Sequence, residues 1–154
     1  MKKFVLAGVA VAAICGAAYA QRPAPNAAAT IQARQANYKQ MAAAMKGLYD
    51  QTRSGSPDLA QIRAGAALVA DRSIRVLTWF PPGTGPEAGV RTRARPEIWS
   101  NPAGFRLAGA NLVVAARALN SAVATGDIAR IRAAGQNVAH ACAGCHDSFR
   151  APEH

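Results

Sequence analysis

Apolar residues recur at intervals of three and four along four stretches of this chain, the spacing of one face of an α-helix. In the first stretch, from about 30 to about 52, the stripe runs Ile31, Arg34/Gln35, Tyr38, Met41/Ala42, Met45 and Leu48/Tyr49. Two polar residues on that stripe imply that it lines more than an apolar core. The second stripe is Leu59, Ile62, Ala66, Val69, Ser73, Leu77 and Phe80. Ser56-Pro57-Asp58 predicts its start, with a cap, a proline at the first helical position and an acid in the first turn, and Pro81-Pro82-Gly83 predicts its stop. The third stripe, Phe105, Ala108, Leu112, Ala115/Ala116, Leu119 and Val123, has Asn101 as cap, Pro102 at its start and Gly126 at its end. Asp127 then caps a fourth helix with the stripe Ile128, Ile131, Gly135, Val138, Cys142, Cys145 and Phe149.

Helices of about 20 residues are about 30 Å long. Four of them, joined by two short turns and one longer crossover, predict an all-α, antiparallel four-helix bundle with a cofactor between its helices. The crossover, residues 81–101, holds Pro, Gly, Arg and the single large aromatic Trp99 between alanine-rich segments. Residues around Val69 and Phe80 include some β-branched side chains, but no alternating strands with hairpin turns are evident.

The N-terminus has a different pattern. Lys2 and Lys3 precede an apolar, small-residue run over 4–18, and Ala18-Tyr19-Ala20 has the small-x-small form of a cleavage site. Residues 1–20 therefore read as a secretory signal peptide, with the mature chain starting at Gln21. The run is shorter than the roughly 20 apolar residues a spanning helix needs, so no stable membrane insertion is expected after cleavage. Cys15 leaves with the signal, and Ile14 before it is too bulky for lipid-modifying processing. Residues 21–29, with two prolines, read as a flexible lead-in, and residues 30–154 as one bundle domain.

Charge narrows the partners. The chain has 18 Lys plus Arg against 8 Asp plus Glu, a formal net charge of +10. Its arginines are scattered over helices, not clustered in a stripe or a known module, and nucleic acid is not an expected partner. Such a basic surface suits acidic redox partners or anionic membrane surfaces.

Cys142-Ala143-Gly144-Cys145-His146 has the spacing that ties a haem covalently to a polypeptide. Two thiols one turn apart can each add to a vinyl group on one porphyrin edge, and the adjoining imidazole then reaches the iron as proximal ligand. Cys-x-x-Cys alone also fits a zinc half-site or a thioredoxin-like redox pair. A structural zinc site needs four ligands, and the mature chain offers only His140 and His154 besides, neither in a second knuckle. A thioredoxin-like pair should follow a strand in a βαβ unit, whereas this one lies inside a helical pattern. With export, one covalently bound haem c points to a bacterial periplasm.

The segment from Cys142 to Arg150 resembles the C-terminal signature of the cytochrome c′ family, the class II c-type cytochromes. Arg34-Gln35, the turn Phe80-Pro81-Pro82-Gly83-Thr84-Gly85, and Arg93-Ala94-Arg95-Pro96-Glu97-Ile98-Trp99 are similar to that family's segments in the same order. The resemblance implies a homodimer in contact through the first two helices, His146 as the axial iron ligand, and Arg34 and Gln35 against the haem propionates, where a guanidinium suits a carboxylate. It further implies Arg93 in a segment approaching the haem and Arg150 beside the proximal imidazole. Tyr38 then falls over the distal face, where six-coordinate relatives carry a methionine. The resemblance also implies an enclosed site that admits only small ligands such as nitric oxide or carbon monoxide. One turn along, Met41 is the alternative axial ligand, which would make the protein a low-spin electron carrier. No acid/base pair or nucleophile stands out, so binding or electron transfer is expected instead of enzymatic turnover.

Overall fold

The computed structural model describes residues 24–152; the expected signal segment, its cleavage site, Cys15 and His154 lie outside them. Four long helices, α1 (Ala27–Gln51), α2 (Leu59–Ser73), α4 (Pro102–Thr125) and α5 (Ile128–Phe149), form the expected four-helix bundle, with a short α3 (Glu97–Ser100) in the crossover. α1 packs on α2, α2 on α4 and α4 on α5, whereas α1 and α5 meet at only a few points. The core runs through Leu48, Ile62, Val69, Leu112, Leu119, Ile131 and Val138.

Local signals set both ends of α4 and the start of α5. Asn101 accepts a hydrogen bond from Gly104 N at 3.0 Å, and Gly126 closes the helix in the left-handed conformation at φ 70°. Asp127 accepts from Ala129 N and Arg130 N at 2.9 and 3.2 Å, satisfying donors that α5 itself cannot. Asp127→Ala should therefore cost about 1 kcal/mol of stability, read as a shift in the denaturant midpoint.

The boundaries differ from expectation in three places. α1 starts at Ala27 instead of near Thr30, because the alanines after Pro25 and Asn26 are strong helix formers. The cap of α2 is Asp58, not Ser56: its carboxylate reaches Ala60 N and Gln61 N at 2.8 and 3.1 Å. α2 ends at Ser73, and the chain tightens into a 3-10 turn at Val76–Trp79. Ser73 and Thr78 hydroxyls bond back to Ala70 O and Arg75 O at 2.8 and 2.7 Å, which competes with the helical ladder. The new direction lays Leu77 over Gly109 of α4, where a Cβ would come within 2.7 Å of it.

The crossover is stitched to the end of α5. Ala94 and Arg150 form an isolated antiparallel bridge, Arg95 N donates to Phe149 O at 3.1 Å, and Ala151 N donates to Arg93 O at 2.8 Å. Trp99 Nε1 adds a bond to Phe80 O at 3.1 Å. The loop that closes the bundle is thus tied to the helix carrying the cysteines.

Candidate haem site

Helical periodicity puts Cys142 and Cys145 on the same side of α5 as Val138 and Phe149. Both thiols are free, half-buried and packed against the core. Burial pushes the Cys142 thiol up and the Cys145 thiol to about 11, with the nearby Arg150 charge opposing both shifts. His146 follows on the next position, half-buried. Burial first, then the charges of Arg150 and Arg93, hold its pKa below the ordinary histidine value; the resulting neutral imidazole is the form that binds a metal.

Across the loose α1–α5 seam stands Tyr38. Its phenol is held protonated above the ordinary tyrosine range, first by burial and then by Cys145, with Cys142 adding to the rise and Arg34 opposing it. Trp79 meets the Tyr38 ring edge-on at 5.2 Å between centroids, and Phe80 lies 6.4 Å away. Phe80 in turn contacts Phe105 at 5.0 Å, and Phe105 contacts Phe149 at 5.3 Å, so an aromatic row runs from the tyrosine to the end of α5. Met41 is buried in the core one turn beyond Tyr38.

Arg34 is 3% exposed. Its guanidinium lies 4.3 Å above the Phe80 ring and donates to Thr84 O at 3.1 Å, Thr92 Oγ1 at 2.9 Å and Thr84 Oγ1 at 3.3 Å, with a longer contact to Trp79 O at 3.4 Å. These acceptors are all neutral, and among the described residues no carboxylate pairs with it. Gln35 donates to Arg91 O at 2.9 Å on the exposed side. Both residues of the pair hold the crossover.

Arg93 donates from Nε to Ala151 O at 2.8 Å, beside the exposed Arg150. The site residues read from the sequence thus fall into two groups, α1 with the crossover and α5 with its tail, facing one another at one end of the bundle. Trp79, Thr84 and Thr92 were missed. The two threonines carry no local mark of their role, but Trp79-Phe80 before Pro81-Pro82 was a visible aromatic cluster at a helix stop.

The residues present suit a haem. Two thiols border a loosely packed seam with an imidazole at the next position, aromatic and apolar side chains back it, and a buried guanidinium keeps its charge for an anion such as a propionate. No cluster of three or more His, Cys, Asp and Glu residues fit to hold a metal ion occurs among the described residues, so the zinc alternative finds no ligand set there.

Comparison with known proteins agrees with the fold and the haem motif. The family model for cytochrome C′ matches residues 29–150. The cytochrome c′ of Rubrivivax gelatinosus is 44% identical over 84 residues, 54% of this chain; the match spans 64% of that relative, just under two thirds of its length. The crystal structure of cytochrome c′ from Thermochromatium tepidum superposes with a TM-score of 0.77 at 33% identity, covering 82% of this chain and 97% of that one. A ferrous variant of the Alcaligenes xylosoxidans protein with bound nitric oxide gives a TM-score of 0.74 at 27% identity, covering 84% and 99%. With sequence motif, bundle and family match in agreement, this chain belongs to the cytochrome c′ family, whose cofactor is a covalently attached haem c.

Proposed function

We propose that this is an exported, periplasmic gas-binding haem protein, with Cys142 and Cys145 as the thioether positions, His146 as the single axial protein ligand and Tyr38 as the distal side chain. The observation that carries the reading is Tyr38 itself, half-buried across the seam from the thiols, where burial keeps its phenol protonated. A protonated phenol is a poor metal ligand, so Tyr38 would shield a bound haem without ligating its iron. The bound haem c supplies the iron to which a diatomic molecule attaches. His146 offers a neutral nitrogen on one side, while Tyr38, backed by Trp79, excludes water and larger ligands on the other. Arg34 and Gln35 orient the cofactor through its propionates, Arg93 lies in a segment approaching it, and Arg150 tunes the charge near the imidazole. The nitric oxide complex of the Alcaligenes relative supports this choice of ligand by likeness. The excess of basic over acidic side chains that remains once Lys2 and Lys3 leave with the signal also suits exchange of electrons with acidic periplasmic partners, and family resemblance supports a homodimer. Binding and electron transfer, not substrate turnover, are its roles.

The test is the absorption spectrum of the haem-loaded protein, oxidised and dithionite-reduced, before and after carbon monoxide. A broad, unsplit reduced band that sharpens with carbon monoxide is expected. A split, low-spin reduced band indifferent to carbon monoxide would overturn the reading and favour Met41 ligation with electron transfer alone. Tyr38→Ala should also raise the carbon monoxide association rate about tenfold, the equivalent of about 1.4 kcal/mol of steric barrier; flash photolysis measures it.

A further inference from the structure

α4 is long and apolar enough by length and composition to cross a membrane, yet Phe105, Leu112, Ala116, Leu119 and Val123 are buried in the bundle, so it cannot leave the core to do so. Its opposite face is the unusual one. At 100° per residue, Ala103, Leu107, Ala110 and Val114 line up along the outward ridge. Leu107 and Val114 are 64% and 68% exposed, the most exposed large hydrophobic side chains among the described residues. Arg106 and Arg117, eleven residues and three turns apart, run along one edge of that ridge. Neither has an ion-pair partner among the described residues, and α4 contains no acidic residue at all.

We propose that the outward face of α4 is a docking surface that seats the protein on an anionic phospholipid bilayer. Apolar side chains bordered by unpaired cations are the composition of a helix lying in a membrane interface, where the apolar edge enters the headgroup boundary and the cations meet lipid phosphates. A second copy of this chain fits less well. Pairing two such faces would bring four guanidiniums together with no carboxylate from either α4. A fluid interface, by contrast, supplies phosphates to both guanidiniums and conforms to a convex apolar ridge.

The experiment is sedimentation of the haem-loaded protein with vesicles of phosphatidylglycerol and phosphatidylcholine, against vesicles of phosphatidylcholine alone, at about 0.1 M salt. Every variant shares one N-terminus, so ratios between variants report the α4 face. Arg106→Gln and Arg117→Gln should each lower the partition coefficient on the anionic vesicles about fivefold. The double variant Leu107→Asn, Val114→Asn should lower it about tenfold. Lys39→Gln, an equal loss of charge on α1, should change it less than about twofold. Circular dichroism and the haem spectrum, unchanged in all four, show that folding and cofactor are intact. Equal losses for Lys39→Gln and Arg106→Gln would overturn the proposal in favour of diffuse charge attraction. Losses for the arginine variants with none for the double asparagine variant would instead assign the face to an acidic soluble protein. Equal binding to neutral and anionic vesicles, or none to either, would also overturn it.

Discussion

Replacing Cys142 and Cys145 together by alanine is expected to abolish covalent haem attachment, so that acidified acetone strips all pigment from the variant and none from the wild type. Both thiols lie on the inward side of α5, one turn apart, where they face the seam against Tyr38. On the proposed reading each thiol would add across a vinyl group to form a carbon–sulfur bond, and no other cysteine is present among the described residues to replace them. Either single variant keeps one thioether and should remain coloured after extraction, with an altered pyridine haemochrome band. Stability should follow. A cofactor bound only by the native state stabilises it by mass action, by about 4 kcal/mol at a thousandfold excess over its dissociation constant, and the double variant forfeits the permanence of that term. Pigment resistant to extraction in the double variant would show that attachment runs through other residues.

Much of this molecule was legible because its signals are local. Asn101 with Pro102, Gly126 and Asp127 mark both ends of α4 and the start of α5 through groups within three residues of each cap, and the same short range made the haem motif readable. The end of α2 was harder. Its apolar period runs on to Leu77 and Phe80, and the stop at Ser73 depends on hydroxyl bonds back to the backbone and on the packing of Leu77 over Gly109, thirty-two residues away, neither of which breaks the period. Arg34 shows the limit most clearly. Its place on an otherwise apolar stripe marked it as special, and the chemistry of a guanidinium pointed to an anion. Its protein partners lie 45 to 58 residues downstream in a crossover without a periodic pattern, so the hold on Thr84 and Thr92 was out of reach of any pattern along one helix. The pairing of residues 93–95 with 149–151 escaped for the same reason: one bridge leaves no alternation to read.

That hold on the crossover carries the second large prediction: Arg34→Ala should destabilise the protein by about 3 kcal/mol and lower its melting temperature by roughly 10 °C. The guanidinium is almost wholly buried, and burial depresses its pKa, so desolvation works against it. What offsets that cost is its set of acceptors. Hydrogen bonds from a charged donor contribute more than neutral ones, and truncation leaves the Thr84 carbonyl inside without its donor while opening a void beside Phe80. Thr84 Oγ1 keeps one partner, since it donates to Pro81 O at 2.8 Å, which limits the loss. Arg34→Lys should recover about half the deficit, because a single ammonium cannot serve acceptors spread over Thr84 and Thr92 as a planar fork does. The damage should also reach the haem pocket, for the same segment carries Trp79 and Phe80 against Tyr38. Loosening it should speed carbon monoxide entry in Arg34→Ala in the direction of Tyr38→Ala. Denaturant titration and flash photolysis on the same samples separate the two effects. A stability within about 1 kcal/mol of wild type would mean that the crossover is held elsewhere, by Trp99 and the 93–95 pairing.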